Sequence, residues 1–479
     1  MSTHRGPIAV AFIAVIVIVS VMSLAAQAPL PLRGEQGRGR GAGPAPGRQG
    51  QAQPSNLPQS PVAAPLPTVS AEVTAPGKPF SSLMALSPGN DLAKHKYVEH
   101  EYFVTGTANG QPYKTRIVVR RPSENARFSG FVLAESMHPS GNAWMFHFTH
   151  LYTMTSGHIG LDILTSNPAQ LAEFNAERYK DLKIEQGQAN EILAQVGALV
   201  RSNAAGNPLA GLPLRKMILA GTSASAGVLV NYLPAHMVYR LADMKPIYDG
   251  FLPTSNGANI RQIDVPMIQV PTTTEAMRGN VPTRQDGDMP GDLFRVYEFP
   301  GMPHLDTRDV QAFRPNPCQN PIAMYPMSAY MSVALNHLLQ WVDKGTVPPR
   351  ADRILLDRNT GNDGSLMAID EHGNPKGGIR TPYVDVPVVR YGVPNTGAVP
   401  PTPNTVPWVA LRGEQGIAQL CGLTAYQIPF TPEHLKKLYG TKQAYVAKVR
   451  AQVDDMTRKG WSLPVYRDQI IADAEKVTF

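Results

Sequence analysis

The stretch Lys216-Met-Ile-Leu-Ala-Gly221-Thr-Ser223-Ala-Ser225-Ala-Gly227 sets a serine between an apolar run and a helix-compatible run. A serine hydroxyl becomes a useful nucleophile when a sharp turn holds it clear of its strand and a base takes its proton. Small residues two positions before and after let the backbone pass closely, and Gly221 and Ser225 hold those positions. The N–H of Ala224, at the start of the following helix, then faces a developing oxyanion. A second glycine is usual where Ser225 stands, and the shifted register Ser223-x-Ser225-x-Gly227 makes Ser225 the alternative nucleophile.

A base and a group to orient it must follow. Pro271-Thr-Thr-Thr-Glu275 comes just after the apolar run 265–270, and Pro300-Gly-Met-Pro-His304 just after 294–299. The order serine, acid, histidine suits a triad carried on successive strands. His304 is expected to take the Ser223 proton and Glu275 to hold the His304 tautomer, with Asp286, Asp288 and Asp306 as alternative acids. After the run 128–135 comes Glu135-Ser-Met-His138-Pro-Ser140-Gly141-Asn-Ala143. Ser140 or Gly141 is expected to present the second oxyanion N–H. Trp144, Met145 and Phe146 are candidates for an apolar substrate pocket, with at least one of them in the core.

Other motifs carry less. His147-x-x-His150 sets two imidazoles on one helix face, but no third ligand and no His-Glu-x-x-His accompany them, so no metal site is expected. No phosphate-cradling glycine motif follows a strand, and no cofactor is expected. Met324, Met327 and Met331 stand at helical spacing and read as core filling.

These groups need a scaffold. Residues 102–104 and 115–119, split by Asn109-Gly110, read as a hairpin. Apolar runs at 128–135, 159–164, 214–220, 250–252, 265–270 and 294–299 read as buried strands. Residues 185–202 and 325–344 read as helices. Strands alternating with helices predict an α/β fold, a mostly parallel sheet covered on both faces, with function at the C-terminal strand ends. Residues 346–430 show little periodicity; 432–439, 442–459 and 463–477 then read as helices. The expected organisation is a core over 95–345 and a C-terminal extension over 346–479 packed on it.

The N-terminus reads as an export signal over 1–28, with Arg5, an apolar run from Ile8 to Val21 and Ala26-Gln27-Ala28 at the cleavage point. An uncleaved anchor is the alternative. Residues 29–94 read as a Pro/Gly-rich disordered linker and lead-in, with nine Pro and seven Gly in 29–70. The chain has 479 residues and a formal net charge of +7, a balance that points first to an acidic partner. Residues 1–60 hold Arg5, Arg33, Arg38, Arg40 and Arg48 against Glu35, a net of +4 that leaves only +3 for the rest. No nucleic-acid partner is therefore expected. Two cysteines exclude a disulfide-dense scaffold.

Taken together, these residues resemble the α/β-hydrolase superfamily. More narrowly, the chain is similar to the bacterial group called alpha/beta hydrolase domain-containing proteins. The similarity runs over about 95–479. It is carried by Tyr102-Phe-Val-Thr-Gly-Thr-Ala-Asn109, Thr115-Arg-Ile-Val-Val-Arg-Arg-Pro122, His138-Pro-Ser-Gly141, Gly221-Thr-Ser-Ala-Ser225 and Tyr248-Asp-Gly-Phe251. Thr272-Thr-Thr-Glu275, Pro300-Gly-Met-Pro-His304, Asn316-Pro-Cys318, Gly377-Gly-Ile-Arg-Thr-Pro382 and Leu420-Cys-Gly422 continue it. The resemblance implies an α/β-hydrolase core and serine-esterase chemistry on Ser223, His304 and Glu275. It departs at Ala224, where such proteins often carry a bulkier polar residue, and at Thr272 to Thr274, where another acid is often found. Cys318 and Cys421 are expected to bond in an oxidising compartment and pin the extension to the core. The expected activity is that of an exported serine hydrolase acting on a small-molecule carboxylic ester. A lipase, a peptidase and a non-catalytic exported binding protein with a degenerate hydrolase fold are the alternatives.

Overall fold

The computed structural model describes residues 57–86, 89–308, 315–357, 366–398 and 407–479, the last without the side chains of 407–412. The expected export signal and residues 29–56 of the linker lie outside the described residues. The described residues, from 57 on, belong to one compact unit.

The main sheet comprises β1 (Thr68–Val69), β2 (Tyr97–Ala108), β3 (Gln111–Pro122), β4 (Phe131–Ser136), β5 (Ile159–Ile163), β6 (Lys216–Thr222), β7 (Gly250–Thr254), β8 (Met267–Gln269), β9 (Gly287–Met289) and β10 (Asp292–Val296). Their order is β9-β10-β8-β7-β6-β4-β5-β3-β2-β1. The strands from β10 to β5 in that order are mutually parallel. β3, β2 and β1 continue antiparallel, and β9 pairs antiparallel with β10 at the other edge. The hairpin turn falls on Asn109 and Gly110, both at positive φ (51° and 69°), the geometry that matches the twist of the flanking strands.

Helices cover both faces, which explains why the central strands read as unbroken apolar runs. Phe131, Leu133, Ile218 and Ala220 pack on one side with α1 (Trp144–Thr155) and the long helix Met327–Lys344. Val132, Ala134, Met217 and Leu219 pack on the other with α2 (Ala189–Val200) and α3 (Ala224–Val238). The alternation is the two-residue period of a strand. Trp144 and Met145 are buried in this packing, and Phe146 in a smaller cluster with Tyr97 and Met154. Met327 and Met331 are core as well.

The lead-in departs from the linker reading. Val62–Ala63 pairs with Tyr239–Arg240, and β1 pairs with Thr105 and Val104 of β2. Ser70 and Val73 donate backbone bonds to Phe103 and Glu101, and the Ser82 hydroxyl donates to Asp162 at 2.6 Å. Proline composition misleads here because an edge strand needs N–H groups only on the side that faces the sheet.

The extension shares the core of the sheet. Ile379, Val384, Tyr391, Leu420, Tyr445, Val453, Tyr466 and Ile470 belong to the same buried cluster as Phe131 and Ile268. Helices α4 (Pro407–Leu423), α5 (Pro432–Tyr439), α6 (Lys442–Arg458) and α7 (Pro464–Glu475) carry much of it. Thr431 and Thr441 cap α5 and α6 through their side chains. Cys318 and Cys421 are bonded across 103 residues, tying α4 to the segment before the long helix. Among the described residues no helix is long and apolar enough to cross a membrane.

Candidate active site

The parallel strands end on one edge, and the candidate groups all follow those ends. Ser223 comes directly after β6 and precedes α3, with φ 52° and ψ −117°. That conformation is costly for a non-glycine residue and persists only where its surroundings enforce it. Here the Ser223 N–H donates to Thr254 O at 3.0 Å, fastening the turn to the end of β7. Gly221 is required, because a Cβ there would lie 2.6 Å from Ser225 O in the first turn of α3. Ser223 is partly exposed and its hydroxyl has no hydrogen bond among the described residues.

Ser225 is fixed instead. It is fully buried, and its Oγ accepts from Thr222 N and donates to Thr222 O, both at 2.9 Å. The hydroxyl closes the turn from inside, so Ser225 serves as the small second residue of the elbow. The helix runs on through Pro234 to Val238, past the stop that the proline suggests.

Glu275 lies on a short helix, Thr273–Met277, after β8. Its Oε1 is 2.7 Å from His304 Nδ1. Its Oε2 accepts from the Thr272 N–H at 2.8 Å and the Thr272 hydroxyl at 2.6 Å. Thr272 thus occupies its place in the motif as the partner of a capping box. Burial alone raises the Glu275 carboxyl, but the His304 charge, the His304 hydrogen bond and the Thr272 bonds outweigh it and hold the carboxyl below its ordinary value. Thr273 N donates to Met302 O at 3.0 Å, joining the acid's helix to the loop that carries His304. His304 Nε2 is buried and has no partner among the described residues. The other acids are engaged elsewhere: Asp286 with Arg353, Asp288 with Arg295 and Arg350, and Asp306 with the Arg308 N–H and His147.

The loop after β4 differs from expectation. Ser140 N–H donates to His138 Nδ1 at 3.1 Å, and Gly141 N–H donates to His138 O at 2.7 Å. Both expected oxyanion donors are therefore engaged inside a tight turn, closed by His138 N to Asn142 O at 2.9 Å. Ala224 N–H, at the first position of α3, has no acceptor within the helix and keeps its expected role open. The turn is anchored by Met137 N to Ile163 O and Ala143 N to Ser82 O, both 2.8 Å. Glu135 accepts from the N–H groups of Trp144 and Met145 at 3.0 and 2.8 Å, holding the start of α1. Sequence reading assigns no role to His138; the signal was a His-Pro pair just past a strand end, where Pro139 has no N–H.

Among the described residues no group of three His, Cys, Asp or Glu could hold a metal ion. A cavity of about 370 Å³, lined mostly by residues of the extension such as Tyr383, Tyr391, Tyr445 and Asp473 together with Arg308, includes no triad residue.

No curated protein matches the chain. Among solved structures it is similar to an esterase of Rhizomucor miehei at 12% identity and TM-score 0.23, over 36% of this chain and 47% of that one. It is similar to esterase Est22 at 10% identity and TM-score 0.28, over 38% and 66%. A thermostable esterase from Pseudomonas putida matches at 15% identity and TM-score 0.24, over 35% and 46%. The chain thus spans about half to two thirds of those proteins. The family described as alpha/beta hydrolase domain matches residues 62–472. With most of its length matched, over a sheet of the order described above, this chain belongs to the alpha/beta hydrolase domain family.

Proposed function

We propose that the protein is an exported serine hydrolase that cleaves small-molecule carboxylic esters through Ser223, His304 and Glu275. The observation that carries the reading is the strained, partly exposed Ser223 on the turn from β6 to α3, beside a buried Ser225 that has a structural bond of its own. In the first step Ser223 Oγ attacks the ester carbonyl carbon while its proton passes to His304 Nε2. The carbonyl π pair moves to oxygen, and the Ala224 N–H stabilises that oxyanion. Collapse breaks the bond to the alkoxy oxygen, which leaves as the alcohol with the proton from His304. Water repeats the sequence on the acyl-enzyme and releases the acid and free Ser223. Glu275 keeps the Nδ1 proton of His304 in place and stabilises the imidazolium. The apolar N-terminal run supports export.

The test is a substrate panel of 4-nitrophenyl acetate, a long-chain triacylglycerol emulsion and a 4-nitroanilide. Turnover of the acetate, lost by more than about a thousandfold in Ser223→Ala, is expected. Preference for the emulsion indicates a lipase, and preference for the anilide a peptidase. Inertness of the folded protein toward all three favours the binding protein.

A further inference from the structure

The loop after β4 holds an imidazole that the triad does not use. β4 and β6 are adjacent parallel strands with Glu135 opposite Ala220, about 4.8 Å apart. The pairing ends there, and three residues beyond each stand His138 and Ser223, on loops that leave neighbouring strands at the same edge of the sheet. A charge on His304 opposes a charge on His138. Burial first, and that repulsion second, hold His138 down at about 4, which keeps it neutral at pH 7.

The backbone sets its tautomer. His138 Nδ1 faces both the Ser140 N–H, at 3.1 Å, and the Ser140 hydroxyl, at 2.8 Å; a hydroxyl can turn to donate or accept but a backbone N–H can only donate, so the backbone bond makes Nδ1 the lone-pair nitrogen. The ring proton is then on Nε2. The turn is also held from outside. Gln170 Nε2 donates to Ser140 O at 2.8 Å and Asn167 Nδ2 to Pro139 O at 3.1 Å. Phe80 packs where a Cβ on Gly141 would lie. The main-chain donors of the turn are occupied at His138, Ser140, Gly141 and Ala143, and Pro139 has none; Asn142 alone has an unpartnered N–H among the described residues.

We infer that His138 Nε2–H is the second oxyanion donor of the site, acting with the N–H of Ala224. This assignment rests on Ser223 being the nucleophile. A neutral imidazole suits the task. It donates a hydrogen bond to the oxyanion without placing a second positive charge beside the His304 imidazolium that forms in the same step. Its donor is oriented before substrate arrives and needs no rearrangement during the reaction.

The experiment compares wild type, His138→Leu and His138→Gln in 4-nitrophenyl acetate hydrolysis and in binding of a trifluoromethyl ketone, whose serine adduct carries an oxyanion. Glutamine keeps a terminal N–H near the position of Nε2. The expected result is a loss of kcat of about 10²- to 10³-fold in His138→Leu with little change in KM. The ketone should weaken by a similar factor, and His138→Gln should recover at least part of both losses. Unfolding midpoints of the three proteins separate this from a folding defect. A leucine variant that keeps kcat overturns the assignment and gives the role to a main-chain donor such as Asn142 N–H. A loss confined to KM, or equal losses in both variants with lowered midpoints, also overturns it. Failure of wild type to hydrolyse any ester or to bind the ketone instead overturns the reading of Ser223.

Discussion

Ser223 and Ser225 are chemically alike and two positions apart, yet the chain treats them oppositely. The Ser225 hydroxyl is bound in both directions to Thr222, whereas Ser223 is held at positive φ with its hydroxyl uncommitted. Glu275 shows the same division of labour between its oxygens, one on His304 and one on Thr272. Replacing it by glutamine removes the charge that fixes the tautomer. Glu275→Gln should lower kcat by about a thousandfold or more, measured on any ester the wild type accepts. The same change affects stability with a defined sign. The carboxyl titrates lower in the fold than the ordinary glutamate value of about 4.3, so its ionised form stabilises the fold. That contribution is complete above pH of about 4.3 and fades as pH falls through the folded value. The gap in unfolding free energy between wild type and Glu275→Gln should therefore be widest near neutrality and narrow below about pH 4. A gap that stays constant on acidification contradicts the assigned shift.

At the scale of elements, the site depends on loops that leave neighbouring parallel strands at one edge. Gly221 makes the first of them possible, since any side chain there meets the backbone of Ser225 and Ala226. Gly221→Ala should displace the elbow, abolish ester turnover and cost about 1–3 kcal/mol of stability, read from denaturant unfolding. Full activity in that variant would show that the turn tolerates a shift. Much of this geometry is legible in the sequence. The strand-to-helix elbow, the acid after 265–270 and the histidine after 294–299 are each marked by an apolar run followed by turn residues. The loop after β4 was legible in place but not in hydrogen bonding. Whether the N–H of Ser140 is free depends on the rotamer of His138, a contact that spacing does not encode. The lead-in was illegible for a related reason. Proline content describes the chain's own preference, while Val62–Ala63 and β1 are strands because partner strands supply their bonds.

At the scale of the whole molecule, the extension and the sheet share one buried cluster, and the Cys318–Cys421 bond closes the chain across it. Cys318→Ser should lower stability by up to about 4–5 kcal/mol, the loop-closure value for a loop of this length. Ester turnover at room temperature should survive, because neither cysteine touches the triad. An unchanged unfolding midpoint would show that core packing alone holds the extension. Acid should act on the whole unit. Burial lowers His138, His150 and His337 to about 4 and His158 to about 3. An unfolded histidine titrates near 6.5, so between these values the unfolded chain binds protons that the fold does not. Their contribution is complete above pH of about 6.5 and declines as pH falls toward 4. The buried carboxyls Glu135 and Glu298 are raised and oppose the trend in part. Calorimetry at pH 7, 6, 5 and 4 should show a falling unfolding temperature, and a constant or rising one contradicts the account.

The most direct measurement is covalent labelling with a fluorophosphonate, located by mass spectrometry of the modified peptide. One adduct is expected, on Ser223, present in wild type and Ser225→Ala and absent in Ser223→Ala. An adduct that survives Ser223→Ala and disappears with Ser225→Ala, or folded wild type that takes no label, would contradict it.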